Sequence, residues 1–361
     1  FILLTITYNA LLGIARGLNE FKWYVAFEVL KQFFLVLIGL FLLIVLKWGV
    51  SGAIVAAVSS MIPLAFIGLA RYRMFWDANI RADFGPILML GFQLALFDVI
   101  ASVLPTLDKI FLGISETVET VGLYGAAFTL AGYATIFMIP FRKTLFPFVS
   151  EAYKKKDFEG ARLYAEQTIK YALIALSVFL LGVGAFAREL ILVFFGSAFL
   201  QALPMVYGLL GVVMVMSFAQ LLNVPLVAVE RVKEMTAWQV LGLLTAVLLG
   251  MFLVPVFHGM GAVALLGSAF AVILFGYARL ARKYLRIKYG SLVKTLALAG
   301  GLLALMAVFQ QGLVERAFAF ILAECFFLTG LVVWKIVSWK ELSFIAEQAL
   351  NPLRALKFLF K

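Results

Sequence analysis

Five side chains stand out because a charge or a hydroxyl falls within or at the end of a stretch that is otherwise apolar: Lys31, Asp98, Ser102, Arg142 and Lys143. Cations so placed can replace the hydration of a phosphate-like anion, and Arg can do so with two parallel hydrogen bonds. Lys31 lies about 10 Å into its stretch, and Arg142 and Lys143 follow Pro140 about 33 Å along theirs. All three are candidate contacts to an anionic ligand. Each also has a plainer reading. Lys31 pairs with Glu28 at i−3 and snorkels to the interface, while Arg142 and Lys143 anchor a helix end. Asp98 lies about 18 Å into its stretch, where an unpaired carboxylate is costly. Its chemistry would be coupling to Na+ or H+, by sharing a cation with neighbouring oxygens or by holding a proton, with Ser102 at i+4 on the same face. The plainer reading is a hydrogen-bonded Asp that fixes helix packing.

Other polar residues read as structural. Asp108 caps a turn at the outer end of its stretch, Glu324 packs in the last span, and Gln220 and Asn223 bond across helices. Pro140, Pro147, Pro204 and Pro225 bend helices and so can act as hinges. Cys325 is the single cysteine and His258 the single histidine, which excludes an internal disulfide, imidazole metal sites and a Ser-His-Asp relay built on a second His. No Walker A sequence is present, and no loop is large enough for a nucleotide-sugar domain. The expectation is no metal, no cofactor beyond Na+ or H+ coupling, and no enzyme activity.

The elements that hold these residues follow from composition. Of the 361 residues, 65% are apolar and 14% charged, against about 45–50% apolar in an ordinary soluble domain. With a mean hydropathy of +1.08, the surrounding solvent must be mostly lipid. Eleven apolar stretches recur, at 1–14, 24–46, 52–70, 86–107, 120–141, 171–187, 201–229, 236–254, 260–278, 295–311 and 317–335. The fold class is therefore all-α, a polytopic membrane helical bundle. The first stretch is too short to cross alone and is read as a truncated segment.

Charge sorts along this alternation. Of the 30 Lys and Arg, 25 fall on one side, four (Lys47, Lys109, Arg188, Arg316) on the other, and Lys31 within a span. Basic loops face the cytoplasm, so the C-terminus is expected there. The net charge of +11 then serves orientation and contact with anionic lipids at the cytoplasmic face, with no need for nucleic acid. The longest loop region, about 142–170, reads as two helix ends joined at Lys156-Asp157-Phe158-Glu159-Gly160, and the tail from Ser338 reads as an interfacial amphipathic helix broken at Asn351-Pro352.

Two internal echoes organise the stretches. Asn9 to Arg16 resembles Asn223 to Arg231, and Trp48-Gly49-Val50-Ser51-Gly52-Ala53 resembles Phe257-His258-Gly259-Met260-Gly261-Ala262. Segments one to three thus map onto seven to nine, as a parallel repeat of six-helix lobes with the first lobe truncated. The expected division is 1–85 for the second half of the first lobe, 86–290 for the second lobe, 291–337 for two extra spanning helices and 338–361 for a cytoplasmic amphipathic tail.

Within this frame, Leu107-Asp108-Lys109-Ile110-Phe111-Leu112-Gly113, Val121-Gly122-Leu123-Tyr124-Gly125-Ala126-Ala127 and Leu145-Phe146-Pro147-Phe148-Val149-Ser150-Glu151 resemble the polysaccharide exporter, or O-antigen flippase, family. So do Glu189 to Gly196 and the turn from Pro255 to Ala262. The resemblance implies the two-lobed fold of the multidrug/oligosaccharidyl-lipid/polysaccharide exporters, usually with twelve or fourteen helices around a central cavity. Fourteen would be the eleven seen here plus three before Phe1. It also implies a lipid-linked oligosaccharide as cargo, a plasma-membrane location and polysaccharide assembly proteins as partners. The alternative within the same fold is a multidrug and toxin extrusion antiporter for organic cations, which would need an acidic, aromatic cavity.

Overall fold

A computed structural model describes residues 2–18, 20–72, 84–308 and 312–337. Every regular element among them is helical. Hydrocarbon offers no water to backbone N–H and C=O groups, so a crossing segment must close its hydrogen bonds within itself. Eight of the described helical runs are long and apolar enough to cross a membrane, and the chain is an all-α, multi-pass membrane protein as its composition predicts. The helices divide into two compact units, Phe1–Phe84 and Gly85–Lys361.

In the first unit, α1 (Ile2–Gly17), α2 (Phe21–Leu40), α3 (Gly49–Ser59) and α4 (Ile62–Arg71) surround a small core of Tyr8, Leu11, Leu12, Ala15, Phe27, Met61, Leu64 and Tyr72. A π-helical turn, Phe41–Val45, extends α2. At one end Arg71 donates to Glu20 at 2.9 and 3.3 Å, and the Tyr72 hydroxyl adds a third bond at 3.0 Å. The guanidinium bond holds the Glu20 carboxyl below the usual carboxylate range. Much of the remaining surface of α2 is exposed and apolar, as lipid contact requires.

The second unit holds the large core. It contains α5 (Phe84–Ser115), α6 (Val118–Gly132), α7 (Met138–Lys154), α8 (Phe158–Ala185), α9 (Ala187–Phe194), α10 (Leu203–Ala228), α11 (Val232–Leu285), α12 (Gly290–Val308) and α13 (Leu313–Val333). Helix α10 is central, packing on α6, α7, α8, α11 and α12. The stretches at 236–254 and 260–278 form the two arms of α11, which reverses at His258 (φ 52°, ψ −130°). Gly242 and Gly276 let the arms meet: a Cβ on Gly276 would lie 2.1 Å from the Trp238 ring, and one on Gly242 would lie 2.6 Å from Ile273.

The joint expected near residue 157 is present, with α7 ending at Lys154 and the Asp157 carboxylate capping α8 by accepting from Gly160 N–H at 2.8 Å. Three basic loops, around 155–157, 229–231 and 286–289, come together at one end through Lys288 N–H to Glu166 (2.7 Å) and Tyr284 to Glu234 (2.6 Å). At the other end Arg316, before the bulk of α13, pairs with Glu189 of α9 at 2.7 Å and is nearly buried. The expected amphipathic tail at 338–361 lies outside the described residues.

The two echo stretches share a backbone feature. Gly49 (φ 56°) precedes buried Gly52 by three residues, and His258 (φ 52°) precedes buried Gly261 by three.

Candidate functional site

Inside the second unit, α5, α7, α10 and both arms of α11 enclose a cavity of about 340 Å³. Its polar lining is Asp98 from α5, Arg142 from α7, Gln220 and Asn223 from α10, and Gln239 and Tyr277 from the two arms of α11. Phe97, Leu104, Met216 and Phe270 supply apolar wall. Pro105 also lines it and has no N–H, so the carbonyl of Ala101, another lining residue, lacks its ordinary helical donor.

Arg142 is the charged anchor. Its Nη1 donates to Gln220 Oε1 at 2.9 Å, which uses one of its five N–H groups and fixes the direction of the guanidinium plane. A second cavity of about 380 Å³ shares Arg142, Asn223 and Val227 with the first and adds Lys143, Ile139, Phe146 and Val224. Arg142 thus lines both cavities, with Lys143 beside it in the second. Sequence placed the pair at a helix end; instead α7 runs on for three further turns to Lys154. The helix is interrupted before them, where Gly132 gives way to a 3-10 segment, Tyr133–Phe137, that precedes Pro140. That segment resets the helix, so the charges fall at the start of α7.

Asp98 lines the same cavity as Arg142 and retains accessible surface. Ser102, the expected helper, does not line it. The Ser102 hydroxyl donates to the Asp98 backbone carbonyl at 2.7 Å, the usual competing bond for a serine inside a helix. Lys31 belongs to the first unit, where its ammonium stands 4.8 Å from the centre of the Tyr8 ring. The ion pair expected with Glu28 is not formed; the aromatic face provides the cation with its contact.

Asp108 also departs from its expected role. It sits within α5 two turns before the helix ends, fully buried, accepting from the Tyr124 hydroxyl and from Lys109 N–H at 2.8 Å. It joins α5 to α6 and caps no turn.

Two cavity residues escaped sequence reasoning. Gln239 and Tyr277 are 5% and 2% exposed, and the Gln239 Oε1 and Tyr277 hydroxyl atoms complete no hydrogen bond of good geometry. They meet because Gly242, one turn from Gln239, and Gly276, next to Tyr277, let the arms of α11 approach closely. Gln239 left a signal, as a lone amide inside an apolar span; Tyr277 reads like any core aromatic.

The arrangement can hold a ligand that is polar and anionic at one point, through Arg142, and hydrogen-bonding elsewhere, through amides and a phenol. Asp98 brings a carboxylate to the same cavity. A family model described as polysaccharide biosynthesis protein matches residues 5–204. No curated protein and no solved structure matches the chain.

Proposed function

This chain belongs to the polysaccharide biosynthesis protein family, and on that premise we propose that it moves a lipid-linked oligosaccharide across the plasma membrane by alternating access. The observation that carries the proposal is the placement of Arg142, the one cation among the described lining residues, in a cavity that also presents Asp98, amides, a phenol and apolar side chains. Carrying a sugar phosphate through a low-dielectric slab costs its hydration, and the cargo's tail can stay in lipid throughout. Arg142 offsets that cost at the phosphate, while Gln220, Asn223, Gln239 and Tyr277 offer bonds to sugar hydroxyls. Lys143, in the adjoining cavity, takes the head group before or after Arg142. Lys31, in the first unit, is proposed by itself as a contact for a phosphate.

Coupling falls to Asp98. Asp98 shares the cavity with Arg142, whose guanidinium is bonded to Gln220 and not to Asp98, so the Asp98 carboxylate is left to recruit the coupling ion. Ser102, whose hydroxyl donates to the Asp98 carbonyl, keeps its oxygen lone pairs as the second proposed contact for the ion. Pro105, Pro147 and Pro225 interrupt the helical ladders of α5, α7 and α10 and are the hinges of the motion. Asp98 is also what an organic-cation antiporter would use, and the assay separates the two.

The test is translocation of a fluorescent lipid-diphosphate oligosaccharide in proteoliposomes, with Arg142→Ala, Lys31→Ala and Asp98→Asn beside the parent. Loss of a charge-assisted bond is worth about 1.5–3 kcal/mol, so Arg142→Ala should slow translocation about 10- to 100-fold while unfolding stays unchanged. Asp98→Asn should retain binding and lose the response to an imposed Na+ or H+ gradient. Undiminished lipid translocation by Arg142→Ala, or gradient-driven efflux of an organic cation in its place, rejects the reading.

A further inference from the structure

A further cavity lies apart from the site above, at the basic end of the second unit. It is a groove of about 460 Å³ between the start of α8 and the end of α11, lined by Phe158, Glu159, Arg162, Lys283, Tyr284 and Arg286 together with Leu285. Both borders are ends of membrane-spanning runs, since one begins at Phe158 and the other finishes at Leu285. The groove therefore sits on the water side of the apolar stretches that begin at 171 and end at 278, at the polar ends of two spans.

Its walls are held firmly. Glu166 accepts from Lys288 N–H at 2.7 Å, Tyr289 donates to the Ala278 carbonyl at 2.7 Å, and Leu285 and Ile287 are buried on either side of Arg286. Arg286 ends α11 in a left-handed conformation (φ 55°) and its side chain is exposed. It forms no ion pair with a described residue. Lys283 reaches Glu234 only at 3.9 Å and stands 4.6 Å from the Tyr284 ring centre. Arg162 is bonded to Glu159 at 3.1 Å, and its buried Nε faces the Glu166 carboxylate at 3.8 Å.

The nearby acids are already committed. Glu234 accepts from Tyr284 and faces Arg231 at 3.7 Å, Glu166 serves the Lys288 backbone, and Glu159 serves Arg162. Lys283 and Arg286 are left as weakly compensated charge over a groove whose rim carries Phe158, 57% exposed. Lys283 and Arg286 lie about 8 and 12 Å past the apolar stretch that ends at 278, within reach of phospholipid headgroups for side chains of that length.

We propose that this groove binds the phosphodiester of an anionic membrane phospholipid, with Lys283 and Arg286 on the phosphate. The site is separate from the transport cavity and does not depend on what that cavity carries.

The experiment is native mass spectrometry of the full chain titrated with phosphatidylglycerol or phosphatidylcholine. The parent should retain phosphatidylglycerol preferentially. A surface cation is worth roughly five-fold in anionic-lipid binding, so Lys283→Gln with Arg286→Gln should lower phosphatidylglycerol occupancy ten-fold or more, and phosphatidylcholine occupancy should not change. Lys154→Gln with Lys156→Gln removes the same charge from the same end and should leave occupancy within two-fold. Equal loss in the two double variants means diffuse attraction and overturns the site, as does absence of lipid preference in the parent. Displacement by glycerol 3-phosphate at matched concentration assigns the groove to a free phosphate and overturns the lipid. If the neutral double variant unfolds, Arg286→Gln alone should show the five-fold loss, and Lys283→Arg with Arg286→Lys should restore parent occupancy.

Discussion

The turn from Trp48 to Ala53 in the first unit and the turn from Phe257 to Ala262 in the second share a backbone plan and differ in what fills it. Each places a left-handed residue three positions before a buried glycine. In the first the left-handed residue is Gly49, which adopts φ 56° freely. In the second it is His258, whose φ of 52° with ψ of −130° lies in a region that side chains avoid, a strain of about 1–3 kcal/mol. The second turn is also tighter: a Cβ on Gly261 would lie 2.1 Å from the Leu253 carbonyl oxygen, whereas one on Gly52 would lie 3.0 Å from the Trp48 Cβ. What His258 gains is a contact. Its Nδ1 lies 2.7 Å from Glu116 Oε1, tying the reversal of α11 to the turn between α5 and α6. One turn only reverses the chain; the other also fastens two of the helices that line the cavity.

The sharpest break in this comparison is Gly261→Ala. The new methyl meets backbone oxygen, which no rotamer change can move aside, so the arms of α11 must spread. The expected loss is about 3 kcal/mol, the upper end for overpacking, read as a lower thermal midpoint in detergent. An unchanged midpoint would mean the arms part freely and the tight reversal has no structural weight. Gly49→Ala comes next. Nothing lies within 4 Å of its missing Cβ, so the cost is the left-handed backbone alone, about 1–2 kcal/mol.

His258→Gly tests the other side of the trade. It relieves the strain and removes a pair whose imidazole is exposed and whose carboxylate is mostly covered, worth about 1 kcal/mol, so the midpoint should hold or rise slightly. A clear fall would show that the Glu116 contact outweighs the strain, and Glu116→Gln should then reproduce part of it.

These turns also show how far sequence reaches. Trp48-Gly49-Val50-Ser51-Gly52-Ala53 and Phe257 to Ala262 announced themselves as matching reversals at span starts, because glycine spacing is written in the chain. The helices were equally legible, since the length of an apolar run is fixed by bilayer thickness. The site was legible only in its charges. Arg142 and Asp98 stood out as ions in apolar company and do line one cavity. The helix reset at Tyr133–Phe137, the backbone bond that occupies Ser102, and the Tyr8 ring beside Lys31 depend on local geometry and on contacts between helices, which periodicity does not encode. Gln239 and Tyr277 come together only through the close approach at Gly242 and Gly276, 38 residues apart along one reversed helix.

Gly52→Ala is the smallest of the expected effects and calibrates the rest. The added methyl meets Trp48 Cβ at 3.0 Å and Leu42 Cβ at 3.4 Å, contacts that a shift of a few tenths of an ångström relieves. Against that crowding stands the gain from replacing glycine inside α3, about 0.8–1.0 kcal/mol of helix propensity. The two nearly cancel, so the midpoint should move by no more than the equivalent of about 0.5 kcal/mol in either direction. Measured beside Gly261→Ala, it is the same chemical change at the equivalent position of the other turn. A loss at Gly52 equal to that at Gly261 would show that the two turns are equally tight, and the tie between His258 and Glu116 would then need an origin other than the closer packing of α11.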